Sequence, residues 1–328
     1  MGSTHIKALG AIPGARLAAV FDMDETRLAG DLTSVQGNIG GPAGVLDFSG
    51  VKRYNRLDAL LADAEIEAVD ICLPTHLHTD TALQALRAGK HVLVEKPMAL
   101  DGASADRMVE EAARGGRVLM AAQVLRFWPQ YVALHEAVCG GGLGRVRAAL
   151  FRRRCAAPVW GGWLKDPASS GGGAFDLLIH DVDMCLHLFG RPEAVSATGY
   201  QDPAAGIDYL HARLHYPGGP LVTVVGGWHH PGAYPFSMEY SVVLDGGTLE
   251  FNSATRPPVL YRANQPEEAL KLGNEDGYTA EIAYFLECCR TGRQPDRCPP
   301  CDSADAVKLM LALVAARERN GEAVECRL

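Results

Sequence analysis

Short apolar, often β-branched runs alternate with amphipathic stretches through the first 122 residues, and that alternation leaves the chain few folds. Residues 17–21, 68–73, 91–94 and 118–122 read as strands, and residues 57–62, 79–88 and 103–114 read as helices between them. Strands separated by helices pair in parallel, with the crossover helix lying on a sheet face, so the pattern predicts a doubly wound parallel sheet. In such sheets ligands bind beyond the carboxyl ends of the strands. The segment 37–50 is glycine-rich with little periodicity and predicts a surface loop.

After Ala122 the pattern changes. Residues 145–154, 194–200, 209–216, 221–228, 238–244 and 248–251 read as strands, several joined by turns such as Tyr216-Pro-Gly-Gly-Pro220 and Asp245-Gly-Gly247. They predict an antiparallel meander. A long apolar helix over 174–189, ended by Gly190, separates the first two of these strands, and helices over 279–290 and 303–319 close the chain. The expected architecture is α/β followed by α+β: a Rossmann-type nucleotide domain over 1–122, then a domain over 123–328 built on an open, mainly antiparallel sheet.

Composition narrows the partners. The 328 residues are 48% hydrophobic and 21% charged, ordinary globular chemistry that excludes disorder, collagen and coiled coil. A net charge of −8 with no long basic run disfavours nucleic acid and anionic membrane surfaces, leaving a small molecule as the expected ligand. No apolar run approaches the roughly 18 residues of a membrane span, and no basic-then-apolar leader opens the chain, so a soluble cytoplasmic protein is expected. The nine cysteines are scattered and odd in number, which predicts reduced thiols. Cys298-Pro-Pro-Cys301 has C-x-x-C spacing but no second pair, and reads as loop rather than as a zinc or redox site.

Two constellations carry chemistry. Glu95-Lys96-Pro97 follows the strand at 91–94, where a doubly wound sheet places its ligand. A lysine there can polarise a substrate oxygen, while the plainer alternative is a solvated Glu-Lys pair opening a loop. Pro97 restrains Lys96 toward extended geometry, and the bond between them could be cis. The second constellation is Gly171-Gly172-Gly173, then Asp176 and His180, four apart and thus on one helix face. A carboxylate near the imidazole would raise its pKa toward neutrality, equipping it for acid-base work; the alternative is a core histidine with its partner. A metal cluster of His180, Asp181 and Asp183 is disfavoured because consecutive helical positions point apart, and no metal is expected.

Taken together, Glu95-Lys96-Pro97, then about eighty residues on the glycine triplet, Asp176, His180 and Asp183, and then an open-sheet domain, resemble the glucose-fructose oxidoreductase / inositol dehydrogenase (Gfo/Idh/MocA) family. The resemblance runs from about Gly2 to the end. It implies that Lys96, Asp176 and His180 are the catalytic residues. His180 would take the hydroxyl proton of a sugar, cyclitol or polyol while hydride leaves for nicotinamide, Lys96 would hold the developing carbonyl oxygen, and Asp176 would orient substrate and imidazole. On the cofactor side it implies Gly2, Leu73, Pro74, Thr75, His78, Glu95 and Lys96, with Arg126 at the domain junction and Trp163 and Lys165 facing the nicotinamide end. For these the alternative is loop packing. Homodimers or homotetramers are likewise implied.

Asp22 has a physical argument of its own. It ends the strand at 17–21 about 20 residues after Gly2, where a carboxylate accepts both ribose hydroxyls and repels a 2′-phosphate, which favours NAD over NADP. The chain departs from the family where G-x-G-x-x-G should follow a first strand: only Gly2 can stand for the third glycine. The expectation is a start at an internal methionine, with about 8–12 further residues upstream. Leu178, where many members have glycine, puts the pocket's shape in question. Two rival functions follow: a catalytically silent member serving as a binding or assembly module, and a metal-dependent hydrolase using His180 and its neighbouring aspartates.

Overall fold

The computed structural model describes residues 1–35, 44–159 and 162–328; part of the predicted loop at 37–50 lies outside the described residues. The first part of the chain contains α1 (Gly2–Gly10), β1 (Ala19–Phe21), α2 (Glu25–Leu28), β2 (Lys52–Tyr54), α3 (Leu57–Ala62), β3 (Ala68–Ile71), α4 (His78–Arg87), β4 (His91–Glu95), α5 (Gly102–Gly115) and β5 (Leu119–Ala122). Every strand and helix predicted before Ala122 is present, with ends moved by at most two residues. β4 is central, and Val92, Leu93 and Val94 are wholly buried. The α5 helix starts where the Asp101 carboxylate accepts the Ser104 N–H at 2.8 Å, and it stops at Gly116 with φ +61°.

The ladders among β1 to β5 are parallel, in two pieces: β1 with β2, and β3 with β4 and β5. Among the described residues no ladder joins β1 to β3.

The second part contains α6 (Pro129–Cys139), β6 (Val146–Ala156), α7 (Gly162–Lys165), α8 (Pro167–Ser170), α9 (Gly173–Phe189), β7 (Ala194–Asp202), β8 (Ile207–His215), β9 (Leu221–His230), β10 (Ser237–Leu244), β11 (Gly247–Asn252), β12 (Arg256–Tyr261), β13 (Glu268–Ala269), α10 (Gly277–Thr291), α11 (Pro300–Glu318) and β14 (Val324–Glu325). They build one open sheet in the order β13-β12-β11-β10-β6-β9-β8-β7-β14. The simple meander is corrected at its centre: β6 lies between β10 and β9 and runs parallel to β9. The cause is α9, which carries the chain across the sheet before β7 begins.

Alternation sorts the sheet's faces. Val195, Ala197, Leu210, Ala212, Leu214, Val222 and Val224 are buried toward α9 and α11, while Tyr200, Tyr209 and His229 stack on the other face. The two closing helices return to the first part. α10 sets Ile282 and Phe285 against Leu93, Val118 and Met120 beside α1, and α11 packs between α9 and α5. The sheet of β3 to β5 is therefore covered on both faces, which brings the end of β4 and the start of α9 together.

Candidate active site

At that junction Lys96 Nζ donates to Asp176 twice, to Oδ1 at 3.1 Å and to the backbone carbonyl at 2.9 Å. Both side chains are about one-sixth exposed or less, so the pair is partly desolvated yet open to a ligand. The Lys96–Pro97 peptide is cis. Glu95, buried, accepts the Lys96 backbone N–H at 3.0 Å and holds His5 Nε2 at 3.1 Å, so it supports the lysine from beneath.

His180 corrects the expectation for its titration. The Asp176 carboxylate is engaged by Lys96, and the imidazole pKa lies well below 6.5, first through burial and then through the nearby Lys96 and Arg153 charges. The ring is neutral at pH 7. Its Nδ1 is buried without a partner among the described residues, and the residue as a whole is half-buried. Cys155, Leu177 and Trp228 form a small apolar cluster beneath this helix turn, joined by Leu164 of α7. Burial pushes the Cys155 thiol up to about 12, so it stays protonated.

The start of α9 is held from β8. Asp208 Oδ2 accepts the Ala174 N–H at 2.9 Å, and Asp208 Oδ1 pairs with Arg317 of α11. Glycine is required here: a Cβ on Gly172, whose φ is +90°, would meet Asp208 Oδ2 at 2.7 Å, and one on Gly173 would meet the Trp228 ring at 2.6 Å. Sequence reading missed Asp208, Arg317 and Trp228, because their roles depend on the register of β8 beside β9, which places Asp208 opposite Trp228.

A cleft of about 1120 Å³ lies between β1 and β3, lined among others by Gly2, Asp22, Leu73, Asp70 and Cys72. Its residues fit a dinucleotide: Gly2 opens a nine-residue helix, whose N-terminus favours phosphate, and Asp22 ends β1. Asp22 Oδ1 accepts the Asp24 N–H at 2.9 Å, and Arg27 Nε stands 3.5 Å from Oδ2, a cation the sequence reading had not placed there.

The other predicted cofactor residues divide. Pro74 and Thr75 continue from Leu73 into a short 3₁₀ turn against which α8 packs, with Thr75 buried. His78 is a correction: it is buried beneath the site, with Nδ1 2.8 Å from the Pro97 carbonyl and Nε2 2.7 Å from the Leu73 carbonyl, and so ties the two loops together. Arg126 is also corrected. Its guanidinium is sealed in a bidentate pair with Asp183, both bonds 2.8 Å, and also bonds Asp302 and the Arg297 carbonyl. Trp163 lies half-buried and Lys165 exposed on α7, where Lys165 packs against the Gly206 turn rather than beside Lys96. Asp181 is taken by Arg153 at 2.7 and 3.1 Å, so neither aspartate after His180 is free to bind a metal. In the C-x-x-C pair, Cys298 is buried against the Ala121 carbonyl and Cys301 is exposed in the first turn of α11.

Residues 1–123 match the model of an oxidoreductase family with an NAD-binding Rossmann fold, and residues 131–250 match the GFO/IDH/MocA C-terminal domain. An uncharacterized oxidoreductase of Rhizobium meliloti is 40% identical over 179 residues, a match that spans only 53% of that relative. The 1,5-anhydro-D-fructose reductase of Ensifer adhaerens is 35% identical over 74% of this chain and 75% of its own. The myo-inositol 2-dehydrogenase of Thermotoga maritima is 25% identical over 98% and 93%. Among solved structures, GenD2 from gentamicin A biosynthesis, in complex with NAD, superposes with a TM-score of 0.81 at 25% identity, covering 100% of this chain and 94% of that one.

Proposed function

The chain belongs to the Gfo/Idh/MocA oxidoreductase family, and from that premise we propose an NAD-dependent dehydrogenase that moves hydride between nicotinamide and a secondary alcohol or ketone of a sugar, cyclitol or related polyol. The observation that carries the reading is the Lys96–Asp176 pair at the carboxyl end of β4, beside a neutral His180. When bound, the nicotinamide supplies the hydride acceptor. Gly2 and the α1 N-terminus would hold phosphate, Asp22 would hold the adenosine ribose, and the Leu73 to Thr75 loop would line the path toward Lys96.

The chain's own groups do the rest. Lys96 donates to the substrate oxygen and stabilises the negative charge that develops as the carbonyl forms. Asp176 fixes the ammonium through two acceptors, so it need not reorient during the reaction. His180, neutral because burial disfavours its charge, accepts the hydroxyl proton at Nε2. NAD is preferred over NADP through the Asp22 carboxylate. The names of the relatives support a sugar or cyclitol substrate.

The enzyme would act as a soluble cytoplasmic homodimer or homotetramer, using the face of the large sheet that presents Tyr200, Tyr209 and His229. No described helix is long and apolar enough to cross a membrane. The rival reading, a silent binding module, draws on the missing ladder between β1 and β3. The deciding experiment titrates the protein with NADH and NADPH, following energy transfer from tryptophan, and then assays a polyol panel. NADH binding with turnover that falls roughly 10²-fold or more in His180→Ala, at nearly unchanged NADH affinity, is the expected result. No binding of either nucleotide would favour the module, and turnover unimpaired in His180→Ala would remove His180 from the mechanism.

A further inference from the structure

One buried histidine joins the cofactor side of the site to Lys96. His5 lies about one turn into α1, the helix that opens at Gly2, and 2% of it is exposed. Its Nδ1 stands 2.8 Å from Asp70 Oδ2 of β3. Glu95 Oε1, at the end of β4, is 3.1 Å from its Nε2, a charge contact without hydrogen-bond geometry. The other Glu95 oxygen accepts the Lys96 N–H at 3.0 Å, and Lys96 Nζ reaches Asp176. We propose that His5 is a positioning residue, which clamps α1 to β3 through Asp70 and fixes the backbone at Lys96 through Glu95. Its purpose rests on the reading above, in which α1 holds dinucleotide phosphate and Lys96 the substrate oxygen.

Valence and charge support the clamp. A neutral imidazole carries one N–H, yet a carboxyl oxygen stands beside each ring nitrogen, so only the doubly protonated ring is attracted to both. Burial opposes that charge, but Cys72 and Asp70 outweigh it and raise the His5 pKa well above 6.5. Burial likewise opposes charge on Glu95, whose carboxyl nevertheless lies below its ordinary 4.5, chiefly through His5, with weaker help from Lys96 and the Met1 amine. The other groups facing the ring add no competing charge. Burial pushes the Cys72 thiol up to about 12, so it stays protonated, and burial is also the first cause that holds Tyr278 and Glu281 of α10 neutral. One imidazolium therefore stands between two carboxylates. A buried charge parted from its partner is costly, so α1 cannot shift along the sheet without disturbing Glu95 and, through it, Lys96.

The two ring nitrogens serve different halves of the site, and they can be removed separately. Asparagine carries its amide nitrogen close to the place of Nδ1, and glutamine close to that of Nε2. His5→Asn thus keeps the Asp70 side of the clamp, and His5→Gln keeps the Glu95 side.

The test uses the whole chain at pH 7. NMR of the histidine ring nitrogens is expected to show one ring, absent from both variants, with both nitrogens protonated. In His5→Asn the Lys96 amide should exchange hydrogen at least about 10-fold faster relative to that of Val92, whose N–H donates to the Val118 carbonyl at 2.9 Å in the same strand, while NADH affinity stays within about 3-fold. In His5→Gln the order reverses: Lys96 exchange stays near that of the unaltered chain, and NADH binds at least about 10-fold more weakly. Turnover follows the same split, with kcat falling at least about 10-fold in His5→Asn and KM for NAD rising in His5→Gln. A ring with a single proton, unchanged Lys96 exchange in a folded His5→Asn variant, or equal losses in both variants would each overturn the clamp. Failure of the unaltered chain to turn over any polyol, with ring protonation and Lys96 exchange as expected, would instead overturn the hydride-transfer reading and leave the clamp standing.

Discussion

Asp208 and Arg317, 109 residues apart, form a buried ion pair whose carboxylate also receives the Ala174 N–H at 2.9 Å, so a strand and the last long helix together fix the first turn of α9. Asp176 lies two residues beyond Ala174, and the geometry of the Lys96 pair depends on that turn. Asp208→Ala leaves Arg317 buried with one polar partner, Gln201 at 3.2 Å, and removes a helix cap. Losing one partner of a buried pair costs about 3–5 kcal/mol. Thermal unfolding of Asp208→Ala should show a loss of that size, and turnover should fall more than substrate affinity. Asp208→Asn keeps an acceptor for Ala174 and should lose clearly less.

Gly173 and Trp228 are in contact across the same turn. A methyl at Gly173 meets the indole at 2.6 Å, and Trp228 is 2% exposed with no space to move into. Overpacking of this kind costs typically about 1–3 kcal/mol. Gly173→Ala should therefore lower both stability and turnover, and the Gly173→Ala/Trp228→Phe double variant should recover less than half of the loss because the clash is with the ring atoms both side chains share. Denaturant titration of the three proteins measures it.

How far the sequence could be read follows from which interactions are local. The α9 helix, its glycine approach and the placement of Lys96 after β4 were legible, because periodicity, glycines and the carboxyl-end rule act within a few residues. The pairing of Asp176 with Lys96 instead of His180 was not, since it joins positions 80 apart. Arg126 and His78 look like ligand residues in a string of letters and prove to be sealed inside, one by Asp183 and the other by two carbonyls. Helix α6 escaped notice because its apolar positions run around the cylinder, and β6 was misplaced in the meander because strand order depends on where α9 crosses.

Arg27 bears on nucleotide choice. Its Nε is 3.5 Å from Asp22 Oδ2 and 3.3 Å from Asp24 Oδ2, so the guanidinium stands beside the position proposed for the ribose. Removing the carboxylate frees a cation suited to a 2′-phosphate. Asp22→Gly should shift the ratio of NADPH to NADH affinity by at least about 10-fold toward NADPH, and Asp22→Gly/Arg27→Ala should lose most of that shift; the two differ by about 1.4 kcal/mol or more. Fluorescence titration reads both constants. An unchanged ratio would place the ribose elsewhere.

Acid should destabilise the fold through histidines held neutral. His78, His180 and His187 all have folded pKa values below the ordinary 6.5, chiefly through burial, and His187 falls to about 3. Below pH 6.5 the unfolded chain binds protons that the folded chain refuses, so stability present above that pH is lost as the pH falls from 6.5 toward 3. Each such group contributes a slope of at most about 1.4 kcal/mol per pH unit. Glu281, whose carboxyl is pushed up by burial, and His5, raised by Cys72 and Asp70 against the lowering effect of burial, act in the opposite sense but are outnumbered by the histidines held neutral. The unfolding temperature, measured with chelator present, should therefore fall between pH 7.5 and 5.5. His187→Gln, which removes one of the three protons at a ring stacked 4.2 Å from His135, should flatten that fall; a slope unchanged in the variant would mean that His187 is protonated in the folded protein.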